Sequence, residues 1–322
     1  MSGDLILGID GGGSKVLVAL ADKSGRLLRL VRGGGVNPMD NPNWRQELDA
    51  QLVPFVNEPR LGAIAAALPA YGEVESLSRM QREAVKQLFG DVPTRMLNDV
   101  EAAHLGAFVG GAGILVLSGT GSMAWARNAV GVSHRVGGWG DTIGDEGSSY
   151  WIGRAALSLI SQSIDGRAGA TALTDLVFAH LRIDRADPIN ALAGWVTDLI
   201  NPRAGIAALA VLVDRAAEAG DAGAACLIEQ AAEELAKHVS AIGAVVDHDK
   251  VPSAWTYAGG TFGSRRLLNA LQHKIGRPLS EPILPPIGGA LLAAAQLLDW
   301  PIDDGWIGHI AGDASSAAVQ NR

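Results

Sequence analysis

Two glycine-rich segments of this chain have the composition of phosphate-binding turns. Residues 10–15 read Asp-Gly-Gly-Gly-Ser-Lys, and residues 118–122 read Ser-Gly-Thr-Gly-Ser. Glycine has no Cβ, so the backbone can approach an anion and successive N–H groups can point at it. The first segment is not a P-loop, in which Lys directly follows the last glycine, nor a dinucleotide fingerprint, which opens a helix. A glycine hairpin that binds phosphate fits best, and a plain hairpin turn is the alternative.

Polar side chains within these segments extend this chemistry. Asp10 ends a predicted strand, and its carboxylate could hold Mg²⁺ through water, because hard cations prefer carboxylate and water oxygens. The hydroxyls of Thr120 and Ser122 can donate to phosphate or sugar oxygens. Two such hairpins facing each other would clasp a polyphosphate from both sides. The two segments therefore favour ATP with Mg²⁺ as a ligand.

A candidate general base follows another short strand. Asn98 and Asp99 lie between a predicted strand over 94–97 and a predicted helix over 100–108, with Glu101 three residues after Asn98. This spacing is typical of an N-cap with a capping box. It also places Asp99 at the carboxyl end of a strand, where ligands of α/β sheets bind. A carboxylate there could accept the proton of an attacking hydroxyl.

A loop over residues 137–148 is too rich in glycine and acid for a core element. Its sequence is Gly-Gly-Trp-Gly-Asp-Thr-Ile-Gly-Asp-Glu-Gly-Ser. Carboxylates accept hydrogen bonds from hydroxyls, and an indole can cover the apolar face of a sugar ring. Asp145 and Trp139 therefore suit a sugar. The alternative is a loop before a helix, in which Trp139 merely packs.

The elements around these residues form a repeated pattern. Short apolar runs over 5–9, 16–20 and 27–31 predict an antiparallel meander around the first glycine turn. A shift of 108 residues places Gly119, Gly121 and Ser122 on Gly11, Gly13 and Ser14, again between two apolar runs. This repetition predicts a duplicated domain.

The later part of the chain changes character. Residues 150–247 are predicted to be mainly helical, with one helix over 207–219 and another over 222–246. A strand over 255–258 then leads into Gly-Gly-Thr, and the last clear helix opens near residue 287. The tail over 312–322 is small and polar, and we expect it to be frayed.

Composition excludes several functions. The chain has 322 residues and 48% hydrophobic content, enough for two cores, and its net charge of −8 argues against nucleic-acid binding. It has neither a signal-peptide pattern nor an apolar run of transmembrane length, so we expect a cytoplasmic protein with no membrane partner. Cys226 is the only cysteine, and we expect it to be a small buried residue. One cysteine excludes an intrachain disulfide and an iron–sulfur cluster within one chain.

Taken in order, these motifs resemble the N-acetylglucosamine kinases and, more broadly, the BadF/BadG/BcrA/BcrD-type ATPases of the actin/hexokinase/Hsp70 superfamily. The Gly-Gly-Trp-Gly…Gly-Asp-Glu-Gly-Ser stretch is the specific part. The resemblance implies an α/β fold of two ribonuclease-H-like (actin/hexokinase-type) domains flanking a cleft for ATP and sugar. These domains would be residues 1–113 and 114–310, with a helical insert over about 153–247 and a flexible tail over 311–322.

The resemblance also implies a role for each motif. Asp99 would be the general base for the 6-hydroxyl of the sugar, and Asp10 would hold the metal. ATP would be bound by Gly11, Gly12, Gly13, Ser14, Lys15, Gly119, Thr120, Gly121, Ala208, Gly260 and Ser264. The sugar would be bound by Asn37, Asp99, Ser122, Gly138, Trp139, Gly140 and Asp145.

The resulting expectation is an ATP- and Mg²⁺-dependent homodimeric kinase for N-acetyl-D-glucosamine. N-acetylglucosamine kinases can carry a sugar-contacting Asn after Ser-Gly-Thr-Gly-Ser, where this chain has Met123, which cannot donate that hydrogen bond. Glucosamine, glucose and N-acetylmuramate therefore stay open as acceptors. An activator-type ATPase, which binds an iron–sulfur cluster between two subunits, is disfavoured. Cys226 gives only two thiolates per dimer, whereas such a cluster needs four. A non-catalytic sugar sensor is disfavoured by Asp99.

Overall fold

The computed structural model of the chain describes residues 3–246, 252 and 254–320, with side chains described as far as residue 314. It divides into two compact units. The first comprises Met1–Gly113 together with Glu281–Arg322, and the second comprises Ile114–Ser280. Among the helices within the described residues, none combines the length and the apolarity needed to cross a bilayer.

The first unit is built on a five-stranded sheet with the strand order β3-β2-β1-β4-β5. The strands β1 to β3 form the predicted antiparallel meander, whereas β4 and β5 run parallel to β1. Parallel strands end at the same edge of a sheet, so the carboxyl ends of β1, β4 and β5 lie together. The strands are β1 (Leu5–Gly11), β2 (Val16–Asp22), β3 (Leu27–Gly33), β4 (Leu61–Leu68) and β5 (Thr94–Asn98).

Both faces of this sheet are covered, which explains the continuous apolar run of β1. Leu5, Leu7 and Ile9 point to one face, where they pack with buried residues of α1 (Trp44–Leu52) and α2 (Glu75–Phe89). Ile6 points to the opposite face, in a cluster with Leu105 of α3 (Asp99–Phe108). The strand is thus held rigidly as it approaches the first hairpin.

The second unit repeats the same strand arrangement. Its sheet has the order β8-β7-β6-β9, with β9 parallel to β6, which matches β3-β2-β1-β4 of the first unit. A parallel bridge between Trp255 and Leu279 adds a contact on the outer side of β9, where the first sheet has β5. The order agrees with the predicted duplication. The strands are β6 (Gly113–Ser118), β7 (Ser122–Arg127), β8 (Ser133–Gly137) and β9 (Trp255–Ala258).

Helices account for most of the second unit between β8 and β9, as predicted. The helix expected over 207–219 is present over Ala210–Glu218, and a separate short helix ends at Ala207. The helices are α4 (Ser149–Ile164), α5 (Ala172–Leu181), α6 (Pro188–Thr197), α7 (Pro202–Ala207), α8 (Ala210–Glu218), α9 (Ala222–Val245) and, after β9, α10 (Arg265–Ile275).

Cys226 is exposed, so its expected burial was wrong. The reason is helical periodicity. Ala224, Leu227, Ile228 and Ala231 define the buried face of α9, and residue 226 lies on the opposite side.

The last two helices, α11 (Pro286–Gln296) and α12 (Asp304–Gln320), group with the first unit rather than with the expected second domain. A close crossing of α3 and α11 explains this grouping. A Cβ added to Gly289 would lie 1.9 Å from the carbonyl oxygen of Ala102, and one added to Gly106 would lie 2.7 Å from that of Pro285. Small residues on both helices let the backbones touch.

The expected flexible tail over 311–322 is instead the end of α12 as far as Gln320, and residues 321 and 322 lie outside the described part. Trp306, Ile310 and Ala314 are buried at a spacing of four residues. This stripe anchors the helix on the first unit, and the alanine-rich sequence favours helix beyond it.

Candidate active site

Two carboxylates lie at the carboxyl edge of the first sheet. Asp10 is the penultimate residue of β1, and Asp99 directly follows β5. In the register of the sheet, Asp10 pairs with Ala67 of β4, and the next residue of β4 pairs with Asn98. Only one strand therefore separates the two positions, and the charge of Asp10 acts on Asp99.

The start of α3 orients Asp99. The side chain of Asn98 accepts a hydrogen bond from the Val100 N–H at 3.0 Å, so the predicted N-cap is confirmed. Its amide donates to the carbonyl of Tyr71 at 3.0 Å. Glu101 forms an ion pair with Arg95 at 3.0 Å rather than the reciprocal bond of a capping box. Asn98 thus fixes the first turn of α3 at the end of β5.

The pKa values of Asp10 and Asp99 are both raised towards neutral pH. Desolvation raises the pKa of Asp99 to about 7, aided by the negative charges of Asp10 and Glu73 and opposed by the Val100 N–H. Desolvation likewise raises the pKa of Asp10 to about 6, against the attraction of Lys15. A base is most effective when its pKa lies near the working pH, so Asp99 suits proton abstraction at pH 7.

The first hairpin (residues 10–15) joins β1 to β2. The Gly12 N–H donates to the Lys15 carbonyl at 2.8 Å and narrows the turn. A Cβ added to Gly12 or Gly13 would find its nearest neighbour at 3.5 or 3.9 Å, whereas one added to Gly11 would lie 2.6 Å from Val36. Gly11 is therefore needed for packing, while the space over Gly12 and Gly13 can admit a ligand.

Ser14 and Lys15 are exposed at the tip of this hairpin. The segment that carries Asn37 lies against it, because the Val36 N–H donates to the Gly12 carbonyl at 3.0 Å. Asn37 is buried, and its side chain accepts from the Met39 N–H at 3.1 Å and donates to Asp40. The first unit thus brings Asn37, the hairpin, Asp10 and Asp99 to one edge.

In the second unit, the second hairpin (residues 118–122) is bonded to the Trp139 loop (residues 137–148). The hydroxyl of Ser118 donates to the carbonyl of Gly147 at 3.0 Å, and that of Ser122 donates to the carbonyl of Glu146 at 2.7 Å. The carbonyl of Gly119 accepts from the backbone N–H of Ser149 at 2.9 Å. Hairpin and loop form one bonded structure.

At the tip of this hairpin, Thr120 is exposed and a Cβ on Gly119 would meet nothing within 4 Å. Gly121 is crowded instead, since its Cβ would lie 2.7 Å from Nη2 of Arg203 and 2.9 Å from the carboxylate of Asp145. The two glycines of the second hairpin thus have different roles, one open to solvent and one required for packing.

Trp139 is 66% exposed, which contradicts the alternative in which it merely packs. Gly138 and Gly140 flank it with φ of 73° and 81°, in the left-handed region that glycine adopts easily. The Gly138 N–H donates to the Ser122 carbonyl at 3.1 Å, and its Cβ position lies 2.7 Å from Cε of Met123. The loop is therefore held in place by contacts with Ser122 and Met123, while the indole of Trp139 faces solvent.

Asp145 is 3% exposed and has a left-handed φ of 58°. Its carboxylate accepts from the Ser122 N–H at 3.2 Å and from Nη2 of Arg203 at 2.7 Å. Desolvation raises the pKa of Asp145, and the Ser122 N–H and Arg203 oppose that rise. Sequence reasoning missed Arg203, because it lies 58 residues further along the chain in the helical insert and in no motif.

The remaining nucleotide candidates lie elsewhere in the second unit. Ala208 is exposed just after α7, and Gly260 is exposed with no atom within 4 Å of its Cβ position. Ser264 caps α10 by accepting from the Leu267 N–H at 3.1 Å, and its hydroxyl donates to Asp214. The Gly260 segment reaches the second hairpin, since Thr261 Oγ1 donates to the Gly119 carbonyl at 3.1 Å.

Glu73 is a second residue that sequence reasoning missed. It follows β4 and raises the pKa of Asp99. A signal was available, because residues after parallel neighbouring strands meet at one edge.

Among the described residues, no group of three or more His, Cys, Asp or Glu side chains is arranged to hold a metal ion. Asp10 nevertheless fits Mg²⁺, which keeps several waters and usually takes one or two protein carboxylates together with phosphate oxygens. Asp10 thus suits a metal ion that is bound together with the nucleotide.

The fold has the α/β class of the actin/hexokinase-type sugar kinases. A Chromobacterium violaceum protein assigned as an N-acetylglucosamine kinase matches with a TM-score of 0.72 and 26% identity, covering 90% of this chain and 98% of that one. A ROK family glucokinase from Streptomyces griseus, solved with glucose and AMPPNP, matches with a TM-score of 0.53 and 17% identity, covering 91% and 98%. The second likeness concerns the fold alone.

Residues 7–294 match the model of the BadF/BadG/BcrA/BcrD ATPase family, and the chain belongs to this family, as its motifs predict. It is 31% identical over 270 residues to the N-acetylmuramic acid/N-acetylglucosamine kinase of Clostridium acetobutylicum, covering 80% of this chain and 86% of that protein. It is 25% identical over 325 residues to the N-acetyl-D-glucosamine kinase of Dictyostelium discoideum, covering 91% and 98%.

Proposed function

We propose that this protein is an ATP-dependent sugar kinase that phosphorylates the 6-hydroxyl of N-acetyl-D-glucosamine. The observation that carries the proposal is Asp99, a carboxylate whose pKa is raised to about 7 at the sheet edge that also presents the first hairpin. Membership of the ATPase family and the kinase names of the relatives support the same reaction.

In the proposed reaction, a carboxylate oxygen of Asp99 takes the proton of the 6-hydroxyl as the hydroxyl oxygen attacks the γ-phosphate in line. The bond from the γ-phosphorus to the bridging oxygen breaks, and ADP leaves with that oxygen. Phosphoryl transfer otherwise needs positioning and charge stabilisation. The N–H groups of Gly13 and Ser14 would donate to phosphate oxygens, Gly12 would leave space for the phosphate, and Lys15 would add positive charge. Asp10 would hold Mg²⁺ through water, and the ion would neutralise phosphate charge when bound with ATP.

The second unit would supply further nucleotide contacts. Gly119 leaves open space at the tip of the second hairpin, and the exposed Thr120 would donate to phosphate oxygens there. Gly260 has open space as well and is exposed next to that hairpin, so it suits the nucleoside. Gly121 and Ser264 are occupied by packing and capping, and would act by holding these segments in place.

For the sugar, Trp139 would cover one face of the ring, since its indole is exposed on a loop that is hydrogen-bonded to the second hairpin. Ser122, Gly138, Gly140 and Asp145 of the second unit would surround the hydroxyls. Asn37 is a further proposed sugar ligand. Met123 packs against Gly138 instead of presenting a hydrogen-bond donor. Recognition of an acetamido group would then depend on backbone groups of the Trp139 loop.

A second acceptor, N-acetylmuramate, is favoured by one observation: the Clostridium acetobutylicum relative is named for both sugars. The two sugars share the 6-hydroxyl and the acetamido group, so the same general base serves either one.

The test is a coupled ADP-release assay against N-acetylglucosamine, N-acetylmuramate, glucosamine and glucose, with the phosphorylated position identified by NMR. We expect turnover with the N-acetylated sugars and a 6-phosphate product. ADP release that is equally fast without sugar would mean that the protein is an ATPase and not a kinase. Omitting Mg²⁺ and adding a chelator should stop turnover, and Asp99→Ala should abolish transfer while ATP still binds.

We further propose that the protein acts in the cytoplasm as a homodimer. Light scattering after size-exclusion chromatography measures the mass in solution. A mass near 33 kDa, that of one chain, at assay concentrations would contradict the dimer.

A further inference from the structure

The helical insert contributes one charged side chain to the surroundings of Asp145. Arg203 is the second residue of α7, and its Nη2 lies 2.7 Å from Oδ2 of Asp145. The Asp145 side chain is 3% exposed and that of Arg203 is 21% exposed, so the ion pair is largely removed from water. In this environment a lone carboxylate is costly, and a positively charged partner with good geometry decides whether it stays ionised.

Two close contacts position Arg203. A Cβ on Gly153 of α4 would lie 2.0 Å from the carbonyl oxygen of Ile206, so only glycine lets α7 pack this closely on α4. The side chain of Asn201 caps α7 by accepting from the Ala204 N–H at 3.0 Å. The guanidinium then lies beside Gly121 in the second hairpin.

The carboxylate of Asp145 keeps capacity for a ligand. An ionised carboxylate offers about four acceptor positions, and the Ser122 N–H and Arg203 occupy two of them. Asp141 of the same loop also acts on Asp145 and repels it. Burial and the like charge of Asp141 both raise the pKa of Asp145, and attraction to Arg203 opposes that rise.

We propose that Arg203 is a positioning residue that keeps Asp145 ionised and aimed at the hydroxyls of the acceptor sugar. This inference rests on the proposed sugar-kinase function. It predicts that Arg203 acts on sugar binding through the charge of Asp145, and therefore in a pH-dependent manner. Without Arg203, the pKa of Asp145 rises further, and the carboxyl is protonated over a wider range of pH.

The experiment measures the affinity for N-acetylglucosamine by calorimetry between pH 5.5 and 8.5. It compares the wild type with Arg203→Met, Arg203→Lys and the double variant Arg203→Met/Asp145→Asn. Arg167→Met is the matched control, because Arg167 forms an ion pair with Asp165 at 2.8 Å in which both side chains are about half exposed or more (61% and 47%). Each affinity is expressed relative to the wild type at the same pH, which removes the titration of Asp10 and Asp99.

For Arg203→Met we expect the relative affinity to fall by about tenfold for each pH unit below the raised pKa and to recover partly at high pH. Arg203→Lys should restore part of the affinity at low pH. The double variant should bind weakly with no such pH dependence, and Arg167→Met should match the wild type. A wild-type affinity for Arg203→Met at every pH, or a loss that is the same at every pH, would overturn the inference.

Thermal melting gives a readout without sugar. A protein with an Asp whose pKa is raised in the folded state loses stability as pH rises from the unfolded pKa to the folded pKa of that group. The melting temperature of Arg203→Met should therefore fall further below that of the wild type at pH 8 than at pH 5. The double variant should regain part of that loss at pH 8. If Arg203→Met fails to fold, Arg203→Lys carries the same comparison. A wild type that binds and phosphorylates no sugar refutes the proposed function itself, a result distinct from a normal wild type with a pH-independent variant.

Discussion

The two hairpins occupy equivalent places in two sheets of matching strand order, yet they present different chemistry. The first hairpin has an exposed tip, with Ser14 and Lys15 accessible and a carboxylate, Asp10, at its base. The second hairpin is tied by the hydroxyls of Ser118 and Ser122 to carbonyls of the Trp139 loop. The same strand–turn–strand backbone thus displays charge in one unit and anchors a loop in the other.

Desolvation raises the pKa of carboxyl groups in both regions, but the neighbouring charges differ. At the first hairpin, the pKa values of Asp10 and Asp99 are raised to about 6 and about 7, and Asp99 is pushed upward by its acidic neighbours. At the second hairpin, desolvation also raises the pKa of Asp145, but the Ser122 N–H and the cation Arg203 oppose that rise. The first region thus favours a carboxyl that exchanges a proton near neutrality, whereas in the second a cation limits the rise of the carboxyl pKa.

The largest effect is expected from replacing Asp99, the proposed general base, because Asp145 is proposed only to bind the sugar. Asp99→Asn should lower kcat by about 10²–10⁴-fold, the usual contribution of a general base, with little change in ATP binding. The pKa of Asp99 is raised above its unfolded value, so ionisation weakens the folded state as pH rises from about 4 to about 7. Melting curves should therefore show Asp99→Asn more stable than the wild type at pH 8 and unchanged at pH 4. Near-normal turnover would rule out Asp99 as the base.

The second effect concerns neighbouring glycines beside the second hairpin. Gly259 has a φ of 108°, and its Cβ would lie 2.1 Å from the carbonyl oxygen of Ser118, whereas the Cβ of Gly260 would meet nothing within 4 Å. Gly259→Ala should lower the free energy of unfolding by about 2–3 kcal/mol, and Gly260→Ala should change it by no more than about 0.5 kcal/mol. Chemical denaturation measures both. If Gly260→Ala leaves KM for ATP unchanged, that residue is not in the nucleotide site.

The third effect is a shift in pH dependence. The acid limb of kcat/KM should report Asp99 near pH 7 in the free enzyme. Glu73→Gln removes a negative charge that raises the pKa of Asp99, so the limb should move to lower pH, while the amide oxygen can still accept from Asn98. Glu75→Gln is the matched control, since Glu75 is exposed and paired with Arg82. A limb that stays in place would argue against Asp99 as the titrating group.

The smallest effect on stability, with a clear effect on binding, is expected in the Trp139 loop. Trp139 is 66% exposed and Ile143 is 75% exposed, so replacing either with Ala should change the unfolding free energy by no more than about 0.5 kcal/mol. Only Trp139→Ala should raise KM for the sugar, because only the indole would cover the ring. An equal rise for Ile143→Ala would indicate a loop effect rather than stacking.

Much of the fold was predictable because its signals are local. Apolar runs bounded by glycine predicted the strands around both hairpins, and Asn98 predicted the start of α3. The grouping of α11 with the first unit was not predictable in the same way. It depends on the crossing at Gly106 and Gly289, which are far apart in the chain and carry no motif.

The sequence by itself determined the two hairpins, the position of Asp99 at a strand end, and the loop that carries Trp139. These features follow from residue types at short spacing, because turn conformation, capping and strand length depend mainly on neighbours in the chain. Only the tertiary structure decided which charges act on one another. Glu73 affects Asp99, and Arg203 reaches Asp145 from a helix 58 residues away, because burial and distance in space set the strength of these interactions.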